Sequence, residues 1–126
     1  MELEKKIAAK KAVQSVIGLG YVGLPLAVEF ASAGFKTIGI DIDPAKVDEV
    51  SRGRSYIGDV AGAELSRVVE NGLLSATTDY SVLAGVDTVN IAVPTPLRKT
   101  KDPDISYIMA ALKEIREHIH PGQLII

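Results

Sequence analysis

The sequence contains no cysteine and no tryptophan. Without cysteine, these residues can form no disulfide, no thiolate metal site and no cysteine nucleophile. Aromatic residues make up only 5% of the chain while hydrophobic residues make up 47%, so we expect an aliphatic core. A chain of 126 residues has the usual size of one domain and can bury one core of that kind.

The chain also lacks an excess of charge of one sign, since its formal net charge is -2. A nucleic-acid-binding protein needs a basic face, so we expect no nucleic-acid partner. No apolar run approaches the roughly 20 residues that cross a bilayer, and the start, MELEKKIAAKK, has no apolar stretch typical of a secretory signal. We therefore expect no membrane attachment and a cytoplasmic protein.

Short apolar runs rich in β-branched residues alternate along the chain with stretches of helical spacing. The runs predict buried strands at 15–18, 36–41, 73–78, 87–93 and 123–126. The stretches between them predict helices at 22–34, 43–53, 61–72, 79–84 and 105–119. This alternation is typical of a Rossmann-like α/β fold, a doubly wound parallel sheet with helices on both faces. We expect the strand order 3-2-1-4-5.

Two segments differ in character. Residues 1–14 are predicted to form a short helix or an ordered tail, and residues 15–126 a nucleotide-binding domain. The last apolar run stops at Ile126, where a strand would be expected to continue. We therefore expect a piece of a longer protein, with a short edge strand as the alternative.

A GxGxxG pattern, GLGYVG at 18–23, lies between the first predicted strand and the first long helix. The pattern is weak alone, but this position is the one a dinucleotide-binding loop requires. Gly18 permits the tight turn, Gly20 lets a pyrophosphate approach the backbone, and Gly23 lets the helix pack on the strand. The N–H groups at the helix start then hold the anion, which predicts a dinucleotide site.

Asp41 ends the second predicted strand, 23 residues after Gly18. An acidic side chain at this place accepts hydrogen bonds from an adenosine ribose and repels the 2′-phosphate of NADP, so the predicted cofactor is NAD. Asp43 already occupies the capping position of the next helix, so we expect the Asp41 carboxylate to be free for a ligand. The alternative is that Asp41 is only a loop or capping residue.

Two further polar residues are candidates on weaker grounds. Thr95 lies between two prolines (94–96) at the end of the fourth strand, where such sheets bind ligands, although the segment is also a good rigid turn. Lys46, in the first turn of the second crossover helix, reaches the adenosine side or is simply solvated. The sequence leaves both alternatives open.

Several motifs taken together resemble a known family. VIGLGYVGLPLAVEFASAGF, GIDIDPAKVDEVSRGRSYIGDV, LLSATTDYS, VNIAVPTPL and DPDISYI resemble the N-terminal NAD-binding domain of the UDP-glucose/GDP-mannose dehydrogenase family, and within it the enzymes that act on UDP-N-acetylhexosamines. The resemblance implies a homo-oligomer that oxidises the C6 alcohol of a UDP-sugar to a carboxylate in two NAD-dependent steps. It also implies backbone contacts to NAD from Tyr21 and Val22, beside the roles of Asp41, Lys46 and Thr95.

The resemblance carries no catalytic residue over to this chain. In the family, the catalytic cysteine, lysine and asparagine lie in later segments, and we expect no metal site in this chain. We therefore expect the central and C-terminal domains to be absent and the chain to be inactive alone.

Two other functions remain as alternatives. One is a β-hydroxyacid or 6-phosphogluconate dehydrogenase, which would tend toward a GLGxMG loop and would lack the PTPL segment. The other is a nucleotide-sensing module without enzymatic activity.

Overall fold

The computed structural model describes residues 2–126, in which helices and parallel strands alternate along the chain. The elements in chain order are α1 (Leu3–Ala8), β1 (Gln14–Ile17), α2 (Gly23–Ser32), β2 (Thr37–Ile40), α3 (Pro44–Ser51), α4 (Gly62–Glu70), β3 (Leu74–Thr77), a 3₁₀ helix (Tyr80–Gly85), β4 (Thr88–Ile91), α5 (Ser106–Ile115) and β5 (Leu124–Ile125). The predicted strands are present at all five places; β1 has the predicted length, shifted by one residue, and the other four are shorter than their apolar runs.

The five strands form one parallel sheet in the order β3-β2-β1-β4-β5, which confirms the predicted topology. In register, Ile17 on β1 lies opposite Ile40 on β2 and Ile91 on β4. The carboxyl ends of these three strands therefore meet at one edge of the sheet. This is the edge at which the sheet changes winding direction and where open α/β sheets bind ligands.

Side chains alternate between the two faces of β1 and divide the core into two clusters. Val16 packs with Leu24 and Ala27 of α2 on one face, where α3 and α4 also contribute. Ile17 belongs to the other cluster, which contains Ile115 of α5 and residues of the 3₁₀ helix. The core is aliphatic, as the composition predicts.

The helix starts follow from capping and from backbone chemistry. The Asp43 side chain accepts a hydrogen bond from the N–H of Ala45 and caps α3, with Pro44 in its first turn. Pro25 is the third residue of α2, where the N–H has no partner within the helix. Regular helical bonding begins beside it, because Leu24 N–H donates to Gly20 C=O at 3.1 Å. Leu26 N–H donates to Val22 C=O at 3.2 Å, so Pro25 removes only the one bond between them, the bond to Tyr21 C=O.

Helix α5 is shorter than predicted, because it ends at Ile115 rather than at residue 119. Arg116 N–H still donates to Leu112 C=O, but His118 N–H donates to Ile115 C=O in a tighter turn. The His120 ring then bonds the carbonyl of Val86, at 2.8 Å from Nε2, and draws the chain back toward the sheet. This long-range contact overrides the helical spacing of the sequence.

Among residues 2–126, no helix is both long enough and apolar enough to cross a membrane.

Candidate functional site

Two adjoining clefts open at the carboxyl ends of β1, β2 and β4. The larger has a volume of about 430 Å³ and the smaller about 380 Å³. Both are lined by Gly18, Asp41 and Lys46, which join them. The smaller cleft is also lined by four other predicted site residues, Gly20, Tyr21, Val22 and Thr95. Seven of the eight residues that the sequence singles out therefore meet here, and only Gly23 lies outside the lining.

The first and third glycines of the loop are required by close packing. Gly18 has a φ of +95°, and a Cβ there would lie 2.7 Å from the carbonyl oxygen of Ala92 beyond β4. A Cβ on Gly23 would lie 1.5 Å from the carbonyl oxygen of Gly18. The tight turn and the close approach of α2 to the sheet are therefore as predicted.

Gly20 differs from its two neighbours, because nothing lies within 4 Å of the place of its Cβ. No protein packing requires a glycine here, and the open space belongs to the smaller cleft. A phosphate group needs such access to the backbone N–H groups at a helix start. The loop therefore fits the group that the sequence pattern predicts for it.

The expectation that the Asp41 carboxylate is free is wrong. Asp41 is buried, with 8% of its surface exposed, and one carboxylate oxygen accepts the N–H of Leu19 at 2.8 Å. The other oxygen accepts the N–H of Asp43 at 2.9 Å. The bond from Leu19 arises because β2 ends beside the glycine loop, which is a tertiary neighbour, whereas the bond from Asp43 closes a local turn. Each oxygen keeps one lone pair, so the carboxylate can still accept a bond from the cleft.

The remaining candidates present different degrees of access. Tyr21 and Val22 are 83% and 69% exposed at the rim, although both have large apolar side chains. Thr95 is exposed on the opposite rim, within the loop after β4. Lys46 is partly buried and is the basic residue in the lining of both clefts.

The larger cleft brings in residues for which the sequence analysis assigns no role. Tyr80, Tyr107 and Glu114 line it together with two alanines of α5. Burial raises the pKa of Tyr80, and the nearby carboxylates of Glu114 and Asp41 raise it further. The resulting lining is mostly apolar and includes the carboxylates of Asp41 and Glu114. The LLSATTDYS motif contains Tyr80 and the DPDISYI motif contains Tyr107, so each had a sequence signal, but no local pattern places Glu114.

Tyr56 is a fourth residue to which the sequence assigns no role, although the motif SYIGDV at 55–60 contains it. Its hydroxyl donates to the carbonyl oxygen of Leu19 at 2.5 Å. Burial raises the pKa of Tyr56 far above its ordinary value, and the carboxylates of Asp41 and Asp43 add to this effect. The phenol therefore stays protonated and remains a donor to the glycine loop.

Comparison with known families agrees with this geometry. Residues 12–126 match the sequence model described as the UDP-glucose/GDP-mannose dehydrogenase family, NAD binding domain. The match covers every element from β1 to β5.

Relatives of known name support the same assignment. The UDP-N-acetyl-D-mannosamine dehydrogenase of Salmonella typhi is 44% identical over 113 residues, which are 89% of this chain and 26% of that protein. The NDP-N-acetyl-D-galactosaminuronic acid dehydrogenase of Ralstonia nicotianae is 42% identical, with the same two coverages of 89% and 26%. The chain thus spans about a quarter of the length of these curated relatives.

Solved structures show the same fold. The UDP-D-ManNAc dehydrogenase of Pyrococcus horikoshii superposes with a TM-score of 0.83 and 34% sequence identity, covering 90% of this chain and 27% of that chain. The similarity extends over nearly all of the sheet and its helices.

Proposed function

The chain belongs to the UDP-glucose/GDP-mannose dehydrogenase family, and on this premise we propose that its two adjoining clefts hold NAD. The observation that carries this proposal is the pairing of open space at Gly20 with the buried carboxylate of Asp41 across one cleft. The open space at Gly20 suits a pyrophosphate, and the carboxylate of Asp41 suits a ribose. The larger, more apolar cleft beyond Asp41 suits the adenine, between Tyr80 and Tyr107.

The individual roles follow from position. The backbone from Gly18 through Gly20, Tyr21 and Val22 leads into α2 at Gly23, where N–H groups and the helix dipole attract phosphate. Asp41 accepts hydrogen bonds from the ribose while it keeps its two backbone bonds. Lys46 stands on the adenosine side and Thr95 on the opposite rim. When bound, NAD supplies a hydride acceptor, and these residues bind and orient it.

The charge around the ribose favours NAD over NADP. Asp41, Asp43 and Glu114 all line the larger cleft, and Lys46 is the basic residue of that lining. A 2′-phosphate would bring about two further negative charges next to the buried carboxylate of Asp41. Like charges at this distance repel, so we expect the phosphorylated cofactor to bind worse.

For the whole protein, we propose oxidation of the C6 alcohol of a UDP-N-acetylhexosamine to a carboxylate in two NAD-dependent steps. The names of the relatives in Salmonella and Ralstonia support an N-acetylated sugar nucleotide. In this proposal residues 15–126 are the NAD-binding domain, residues 1–14 precede it, and catalytic residues lie in a part of the protein that these 126 residues do not include. The cytoplasmic location and the homo-oligomer stay predictions.

The substitution Asp41→Ala tests the cofactor site. Loss of the carboxylate should weaken NAD binding by about 1–3 kcal/mol, because a charge-assisted hydrogen bond is removed. The same change removes the repulsion of a 2′-phosphate, so NADP should lose less affinity than NAD or gain some. Calorimetric titration of NAD and of NADP into wild type and into the variant measures the ratio of the two affinities for each protein.

The ratio of NAD to NADP affinity separates ribose binding by Asp41 from a purely structural role of the same residue. Asp41 also holds two backbone N–H groups, so a purely structural loss would lower both affinities alike. The exposed Asp59→Ala removes one negative charge elsewhere and should leave both affinities unchanged. An unchanged preference for NAD in the Asp41 variant would remove Asp41 from the ribose site.

A further inference from the structure

Leu19, between the first two glycines of the loop, is held at three points. Its side chain is fully buried, and its Cδ2 lies 2.8 Å from where a Cβ on Gly39 of β2 would be. Its N–H donates to Asp41, and its carbonyl oxygen accepts from the hydroxyl of Tyr56. The loop is therefore fixed here, although Tyr21 and Val22 just beyond it are exposed.

The loop that carries Tyr56 is anchored on both sides of this residue. Ser55 Oγ accepts the N–H of Ile57 at 3.2 Å and closes a tight turn around Tyr56. Ile57 and Val60 are both buried in the core cluster beneath α2. Because its neighbours are fixed in this way, the Tyr56 hydroxyl is held against the Leu19 carbonyl even though 36% of the residue's surface is exposed.

The bond from Tyr56 has a consequence for the next residue along the chain. The carbonyl of Leu19 and the N–H of Gly20 belong to one peptide group, which is planar and trans. Fixing the carbonyl therefore fixes the opposite direction for the Gly20 N–H. That N–H belongs to the residue whose Cβ position is open toward the smaller cleft.

We propose that Tyr56 is a positioning residue for the cofactor diphosphate, acting through the Leu19 carbonyl to aim the Gly20 N–H into the smaller cleft. The inference rests on the proposed NAD site. It assigns to the SYIGDV segment the task of holding the phosphate-binding backbone in its binding direction before the ligand arrives. Preorganisation of this kind increases affinity because less freedom is lost on binding.

The test is Tyr56→Phe, which keeps the ring and removes only the hydroxyl. We expect the dissociation constants of NAD and ADP to rise about three- to tenfold, the range that one hydrogen bond accounts for. Adenosine has no phosphate and should bind to both proteins equally. Hydrogen exchange of the Leu19 amide should become faster, while that of Val16 in β1 stays unchanged.

A second variant and a control complete the experiment. Ser55→Ala loosens the turn around Tyr56 and should weaken ADP binding in the same direction by a smaller factor. Ser66→Ala removes another hydroxyl, one that bonds Glu70 on the exposed side of α4, and should change no affinity.

The possible results separate the two proposals. An equal loss of adenosine and ADP affinity in Tyr56→Phe, or no loss of either, would overturn the positioning role while leaving the NAD site intact. A wild-type chain that binds adenosine but neither ADP nor NAD would contradict the proposed function, and this inference with it.

Discussion

At the scale of single residues, the packing at Gly23 decides how closely α2 approaches β1. The place of its Cβ is 1.5 Å from the Gly18 carbonyl oxygen, and Val16 Cγ1 lies 3.3 Å from it. The first of these atoms belongs to the backbone and cannot move aside as a flexible side chain does. The glycine loop and the first core cluster therefore depend on one missing carbon.

We expect Gly23→Ala to lower the free energy of unfolding by at least about 1–3 kcal/mol, because the added methyl forces α2 away from the sheet. Urea denaturation followed by circular dichroism measures the change. Gly62→Ala is the matched control, since Gly62 also begins a helix and has nothing within 4 Å of its Cβ position. Equal stability of the Gly23 variant and wild type would contradict the packing at α2.

Asp41 illustrates a residue whose type was predictable but whose surroundings were not. The end of the second strand and the spacing from Gly18 predict an acidic residue facing the ligand edge. The bond from Asp43 is a local turn of two residues, but the bond from Leu19 could not be predicted. The bond to Leu19 joins two strand ends 22 residues apart, and its geometry depends on the register of β1 with β2.

At the scale of elements, α1 depends on the domain for its position. The helix has six residues, none of them buried, and a helix of that length is marginal alone in water. Lys6 Nζ lies 2.8 Å from Asp87 Oδ1, and the other oxygen of Asp87 accepts the N–H of Val13 at 2.8 Å. One carboxylate before β4 therefore joins α1 and the chain entering β1 to the sheet.

This carboxylate makes stability depend on pH. Burial raises the pKa of Asp87, but the hydrogen bonds from Lys6 and Val13 lower it more, so the folded pKa lies below the usual 3.8. A depressed pKa contributes stability above the unfolded value that is lost as the pH falls through the folded one. We expect Asp87→Asn to be less stable than wild type at neutral pH, with a difference that shrinks below about pH 4.

Unfolding in urea at a series of pH values measures that difference. Asp59→Asn removes an exposed carboxylate and serves as the control for general charge effects. If the difference in free energy of unfolding between the Asp87 variant and wild type stayed constant down to the acid transition, the ionised carboxylate of Asp87 would not be a source of stability.

At the scale of the whole molecule, the two clefts are assembled from separate parts of the chain. The glycine loop, the end of β2, the 3₁₀ helix, the loop after β4 and α5 each contribute lining residues. Each part ends or begins at the same edge of the sheet because the strands are parallel and the order is β3-β2-β1-β4-β5. The sheet therefore collects a cofactor site from segments far apart in sequence.

We expect this chain alone to bind NAD weakly and to oxidise no UDP-sugar, since its relatives are about four times longer and these residues include no cysteine. Incubation with NAD and UDP-N-acetylglucosamine or UDP-N-acetylmannosamine, followed by NADH absorbance, checks this. Chain with NAD but no sugar is the control. Sugar-dependent NADH production would show that the chemistry lies within these 126 residues.

Much of the fold was predictable because its signals are local. The alternation of strand and helix patterns predicts a parallel sheet, and right-handed crossovers leave few possible orders. The ends of elements were less predictable: α5 stops early because His120 bonds Val86, 34 residues away. Helical spacing of isoleucine and leucine contains no information about that contact.

The sequence by itself determined the sheet order, the glycine loop and the residue types at the edge of the sheet, because turn geometry, periodicity and spacing act between near neighbours. Only the tertiary structure decided that the carboxylate of Asp41 bonds the loop, that Tyr56 holds the Leu19 carbonyl, and that Tyr80 and Tyr107 face one cleft. Such contacts depend on angles and distances between separate elements, which are set when the two faces of the sheet are packed.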